Sequence, residues 1–153
     1  REYASTQRVP GQGRVYAQKF FSTPGKKDGL YWDAAPGEPE SPLGPAYTVS
    51  GPQDGYHGYH FRILGGQGKN APGGAYDYRI KGRMNAGFAL IAWPMQYGQT
   101  GIMSFMVSHD GTVYQKNLGP GGDNVARRMQ RFDPDGSWQT VQPPSTLAAQ
   151  KSK

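Results

Sequence analysis

Cysteine is absent from the chain, and that absence removes disulfide staples, thiolate metal sites and cysteine nucleophiles together. It leaves the redox compartment open. Long hydrophobic runs are also missing. The longest, "GFALIAWPM" from Gly87 to Met95, is strand-sized and falls far short of the roughly 18 apolar residues that cross a bilayer as a helix. Acidic residues are few, 11 against 17 Lys and Arg, which leaves a formal net charge of +6. Aliphatic material is scarce, with hydrophobic residues at 35%. The chain opens at Arg1 without Met or a signal peptide, which reads as a processed or excised product that has lost any targeting segment.

What is present is glycine, proline and aromatic rings. The 23 Gly and 13 Pro commit much of the chain to turns and irregular loops. Ten Tyr, six Phe and three Trp can build a small aromatic core, each burying a large area while a polar edge reaches backbone or water. A length of 153 residues suits one domain. The excess positive charge sits in "RIKGR" (Arg79 to Arg83), "ARRMQR" (Ala126 to Arg131) and the terminal "KSK". Short, separated clusters of this kind read first as a solvated basic surface and second as a surface for an acidic partner.

Punctuation along the chain predicts an α+β domain over residues 1–142, followed by a polar C-terminal arm at 143–153. Residues 1–55 read as helical and loop-rich: a short helical pattern runs to Arg8, is broken by "VPGQG" and resumes in "RVYAQKFF". Prolines then interrupt every periodic run from Lys26 to Gly55, giving a long Pro/Gly-rich loop with one turn of helix near "SPLGPAY". Residues 56–119 hold "YHGYHFRIL", "AYDYRI", "GFALIAWP", "GIMSFMVSHD" and "TVYQKNL". These predict an antiparallel sheet of about four to six strands. Asp110-Gly111 between two such runs signals a hairpin with a type I′ turn. A second short helix is expected over 122–132, capped by Asp123 or Asn124 and packing Val125, Met129 and Phe132 on the sheet.

Each candidate site has a plain structural competitor. In "YHFRILGGQGKNAPGG" the Walker pattern fails, because Lys69 is followed by Asn70 and Ile63 stands where the first glycine belongs. Gly66, Gly68 and Ala71 fit a dinucleotide pattern, yet no helix follows to supply the N-terminal dipole, so the loop reads as a connector between strands with Lys69 facing solvent. His57 and His60, three apart on a strand, point to opposite faces, and His109 stands alone beside a turn. Asp133, Asp135 and Gly136 make only a fragment of a calcium loop and read as a helix-ending turn. Neither a GxSxG elbow nor a supported carboxylate pair is found, Glu38 and Glu40 lying in a loop. "AGFALIAW" partly echoes an RNA-recognition strand, but Ala86 and Leu90 replace the basic and aromatic residues. Both faces of the run are apolar, Phe88, Leu90 and Ala92 on one and Ala89, Ile91 and Trp93 on the other, which predicts a buried central strand. Nucleic acid is accordingly disfavoured, and no catalytic, cofactor-binding or metal-ligating residue is assigned.

Taken in order, "REYA", "STPGKKDGLYW", "EPESPLGP", "YHGYHFRIL", "QGKNAPGGAYDY", "GFALIAWP", "YGQTGIMSFMVSHDG" and "VYQKNLGP" resemble the C-terminal part of a bacterial family known as domain of unknown function 2950. The resemblance covers Arg1 to about Trp138. It implies an exported, periplasmic or cell-envelope protein whose signal peptide and N-terminal region lie outside this chain, and it contributes no catalytic residues. Where the family pattern tends to be acidic, this chain has Gln96 and Asn117. A weaker likeness links the sheet segments to the globular heads of type IV pilins and pseudopilins, without their assembly helix.

The resulting expectation is a non-enzymatic accessory or structural subunit of an envelope or membrane-associated protein assembly, needing no cofactor. Its partners would be other protein subunits, held by loops, basic helix and terminal arm. Tyr31, Trp32, Arg127, Arg128, Arg131, Lys151 and Lys153 are the candidate contacts, since Tyr, Trp and Arg are enriched at binding hot spots. One alternative is an envelope enzyme or small-ligand domain with a polar pocket joining His57 or His109 to Asp77 or Asp110. Another is a binder of anionic polymer or lipid surfaces through the basic clusters.

Overall fold

A computed structural model describes residues 5–9, 13–41 and 57–142, with side chains from Val15 onward. Its strands are β1 (Ser5–Val9), β2 (Gly13–Tyr16), β3 (Tyr59–Leu64), β4 (Gly66–Gln67), β5 (Tyr76–Asp77), β6 (Arg79–Ile80), β7 (Arg83–Met84), β8 (Ala89–Pro94), β9 (Ser104–Ser108), β10 (Val113–Lys116), β11 (Arg131–Phe132) and β12 (Gln139–Thr140); the helix α1 spans Gly122–Arg128. With 35% strand and 6% helix, the fold is largely β. The expected α+β class, with its helical N-terminal part, is corrected accordingly.

Two local readings account for the difference. The first predicted helical stretch is an antiparallel hairpin, β1 against β2, with Arg8 opposite Arg14 and Val9 opposite Gly13. Its β-branched Thr6, Val9 and Val15 favour extended backbone, and segments this short match helix and strand periods equally. The second predicted helix stops four residues early. Met129 is already extended, with φ −68° and ψ 124°, because the Arg62 guanidinium donates to the Arg127 and Met129 carbonyls and so terminates the helix. Gly121, without a side-chain bond, takes the N-cap place expected for Asp123 or Asn124. Phe132 is buried as expected but from β11, whose chain lies parallel to β4; Val125 is 49% exposed and Ala126 fills the core instead. The predicted helical turn near "SPLGPAY" lies almost wholly outside the described residues, as does the 143–153 arm.

The central sheet follows the order β12-β10-β9-β8-β3. β8 lies between β3 and β9, in antiparallel register with both, Ile63 opposite Leu90 and Ile91 opposite Met106. The central buried strand read from "GFALIAWP" is there: Ala89 and Ile91 are fully buried and Trp93 nearly so. The predicted hairpin also forms, β9 on β10, but with a different turn. Gly111 N–H donates to Ser108 O, and only Gly111, at φ +86°, is left-handed, so His109 and Asp110 occupy an ordinary turn with a glycine bulge. A two-residue turn with both positions left-handed occurs instead at Lys81 (φ 51°) and Gly82 (φ 76°), joining β6 to β7.

Between β3 and β8 the chain makes an excursion through β4 to β7, held by one buried amide. Gln67 is 1% exposed. Its Nε2 donates to Pro72 O and Gly74 O, both at 2.7 Å, while its Oε1 accepts from the hydroxyl of buried Tyr78 at 2.9 Å. A single side chain thus fixes the glycine-rich turn to the main core of Leu64, Tyr78, Met84, Ile91, Met106 and Phe132.

Two stability predictions follow from these positions. Gln67→Leu keeps the volume but strands two carbonyls and a buried hydroxyl, and should cost about 2–5 kcal/mol in urea unfolding; a loss below about 1 kcal/mol would show that the amide is not the anchor. Lys81→Asn puts a residue tolerant of left-handed backbone into the β6–β7 turn and should raise stability by about 0.5–1 kcal/mol in the same assay, whereas a fall in stability would refute that turn.

Candidate functional site

Both faces of β8 are apolar, and the described residues cover them unequally. On the inner face α1 packs across the strand, tied down by a polar cluster. Trp93 Nε1 donates to Asp123 Oδ1 at 2.8 Å, and Arg127 Nε donates to Asp123 Oδ2 at 2.8 Å. The Arg127 guanidinium also lies 5.7 Å over the Trp93 ring, whose other neighbour is the His60 ring at 5.3 Å. Hydrogen bonds from Arg127 and then Trp93 hold the Asp123 carboxyl below its ordinary value. His60 is also shifted down, first by burial and then by repulsion from Arg127, with Asp123 opposing.

On the outer face, a second cluster of Ala17, Phe20 and Leu30 packs against Phe61, Ile63 and Leu90. Phe20 stacks on Phe61 with centroids 4.9 Å apart and planes 14° from parallel. This segment covers only part of the face. Beyond it lies a groove of about 390 Å³ lined by His57, Tyr59, Phe61, Leu90, Ala92, Phe105, Met106, Val107 and Val113. The Tyr59 hydroxyl is turned away to the Met103 carbonyl at 3.0 Å. With few polar groups in the lining, the groove suits apolar contacts and offers little hydrogen bonding to a sugar or nucleotide.

Tyr31 and Trp32 wall a different cavity of about 450 Å³, in the 21–38 loop, with Lys26, Lys27, Asp33 and Glu38. The loop is shaped by Asp28, whose carboxylate accepts from Thr23 N, Thr23 Oγ1 and Lys19 Nζ. These bonds, that from Thr23 N foremost, hold its pKa well below the usual carboxylate range. The Tyr31 hydroxyl donates to Asp33, Lys27 pairs with Glu38 at 3.2 Å, and the buried Trp32 Nε1 has no partner among the described residues.

Arg127 and Arg128 are exposed on α1, on the side opposite the groove, and Arg131 is exposed on β11. Lys151 and Lys153 lie outside the described residues. Tyr31 is therefore the predicted contact nearest the groove, through its packing on the outer-face cluster. Of the polar residues named for an enzyme, His57 lines the groove, Asp77 accepts from Arg79 N, and Asp110, next to His109, adds to burial in raising the Tyr76 and Tyr78 hydroxyl pKa. His109 meets the Tyr76 hydroxyl at 3.1 Å beside the Tyr78 and Phe88 rings. Among the described residues no three His, Asp or Glu side chains converge as metal ligands. No described helix is long and apolar enough to cross a membrane.

The glycine-rich loop does cradle an anion, and it is the protein's own. Asn70 N–H donates to Asp133 Oδ1 at 2.8 Å, and a Cβ on Gly68 would lie 2.3 Å from the Asp133 carboxyl carbon. Lys69 is exposed, as expected. The strand β11 separates Asp133 from α1, so the "DPDGSW" turn is not the helix-ending turn expected; Asp135 closes it by accepting from Ser137 N. Sequence reasoning missed the groove, although "SFMVS" carried its signal in Phe105, Met106 and Val107, apolar toward both faces.

Fold and surface together define a small, largely β domain with an apolar surface groove. The chain belongs to the family described as Protein of unknown function (DUF2950), whose model matches residues 1–141. Comparisons with curated proteins and with solved structures gave no match.

The inner-face cluster sets a pH dependence. An imidazole whose folded pKa lies below its ordinary 6.5 binds its proton more readily in the unfolded chain, so its contribution is complete above that value and declines as pH falls through it toward the folded pKa. The urea midpoint should drop on acidification below about pH 6.5, and His60→Gln should flatten that part of the profile. An unchanged profile in the variant would contradict the assignment.

Proposed function

We propose that this protein is a non-enzymatic accessory or structural subunit of an exported, cell-envelope protein assembly, and that it docks by receiving an apolar segment of a partner subunit in the outer-face groove. The observation that carries the reading is the half-covered face of β8. Tyr59, Phe61, Leu90, Phe105, Val107 and Val113 form a continuous apolar surface on a rigid sheet, and contiguous apolar surface of this kind marks a site of association. A protein segment suits it better than a polar metabolite, because the lining presents almost no donors or acceptors. The Tyr31 loop borders the same face and supplies an aromatic flank. The exported setting is what the resemblance to the family implies.

The test separates docking from folding. In an envelope fraction from the source cell, the wild-type chain should migrate in a complex larger than its own monomer. Phe105→Glu or Val107→Glu should shift it to the monomer position while changing folding free energy by no more than about 1 kcal/mol. A wild-type chain that is monomeric in that fraction, or variants that stay assembled, would reject the proposal.

A further inference from the structure

Residues from four separate parts of the chain meet in a second cavity of about 520 Å³, walled by Gln18, Arg62, Asp77, Arg79, Gln130 and Arg131 with the Gly65 and Gly66 backbone as floor. Three guanidiniums thus face one carboxylate. One oxygen of that carboxylate is taken by backbone, Asp77 Oδ1 accepting from the Arg79 main-chain N–H at 2.8 Å. Among the described residues the ion pairs are Lys19–Asp28, Lys27–Glu38 and Arg127–Asp123, so none of the three cleft arginines is neutralised by an acid.

The three arginines divide the work. Arg62 is structural, its guanidinium spent on the carbonyls that end α1. Arg131 uses one nitrogen on Gln67 O at 3.0 Å and Tyr76 O at 3.4 Å, which fixes its plane and leaves its other N–H groups for a ligand. Arg79 lies flat over Gly65, where a Cβ would come within 2.7 Å of its central carbon. The glycine therefore permits this position of the guanidinium. Planar forks held in place suit bidentate oxygen pairs, and low hydration of guanidinium reduces the cost of engaging them.

We infer that this cleft binds a multiply charged oxyanion, a phosphate or polycarboxylate group, with Arg79 and Arg131 as its principal ligands and Gln18 and Gln130 as flanking donors. The cavity exceeds a single phosphate and falls within the usual range for small-molecule sites. The site is independent of the outer-face groove, so either can fail without the other.

The test is amide-resolved NMR titration of the full chain at low salt with two probes, pyrophosphate and citrate. At least one should give saturable shifts centred on Gly65, Gly66 and Gln130, weakening as salt rises; which probe binds tells phosphate from carboxylate. Arg79→Gln, on an exposed side chain, should weaken that binding on the order of tenfold, and Gly65→Ala should do likewise by displacing the guanidinium. Arg128→Gln removes the same charge outside the cleft and should leave affinity within about twofold. Failure of both probes to saturate, or equal weakening by Arg79→Gln and Arg128→Gln, would overturn the inference.

Discussion

The structure turns on one strand that is apolar on both sides. β8 places Ala89, Ile91 and Trp93 on one face of the central sheet and Leu90 and Ala92 on the other, and neither face can be left to water without cost. A chain with few aliphatics must find two covers for it. For the inner face it uses α1 and β11, which bring Ala126 and Phe132 into contact with β8 and β9. For the outer face the described residues supply the Phe20 and Leu30 segment, which stops partway. The groove is what remains, and the proposed association is a consequence of that incomplete cover rather than of any special motif.

The polar groups reinforce this division. On the inner side these polar groups are closed within the chain: Trp93 on Asp123, Arg62 on the helix carbonyls, Tyr78 on Gln67, Asp133 on Asn70. Such closed networks fix a unique core. The outer groove is apolar by contrast, and its one hydroxyl, on Tyr59, donates to Met103 O. Specificity there would come from shape and apolar area.

Much of the sheet was legible in the sequence because its signals are local. The "GFALIAWP" run, the β9–β10 hairpin and the failure of the glycine loop as a phosphate site all follow from residue type and spacing over a few positions. Other features depend on contacts far along the chain. Nothing in "ARRMQRF" states that the helix must stop at Arg128, since the cause is Arg62 in β3. Gln67 looks like a loop residue until Tyr78 and the 72–74 carbonyls are placed around it. The clusters "RIKGR" and "ARRMQR" were visible as charge, but that Arg79 and Arg131 share a cleft is a product of the β4–β5 and β4–β11 pairings. The left-handed turn was assigned to Asp110-Gly111, which has the favoured residues, while the backbone adopts it at Lys81-Gly82, where the two-residue connection requires it.

The absence of native cysteine permits a direct test of the unequal cover. Met106 and Val107 are neighbours on β9 and both border the groove, but Met106 is 1% exposed and packs in the inner core whereas Val107 is half-buried on the open side. With Met106→Cys and Val107→Cys as separate single-thiol proteins, the rate of alkylation reports which face is open. The account predicts that the Val107→Cys thiol reacts readily in the isolated chain and slowly in the envelope fraction, while Met106→Cys is protected in both. A Val107→Cys thiol as protected as Met106→Cys in the isolated chain, or one equally reactive in both settings, would contradict it.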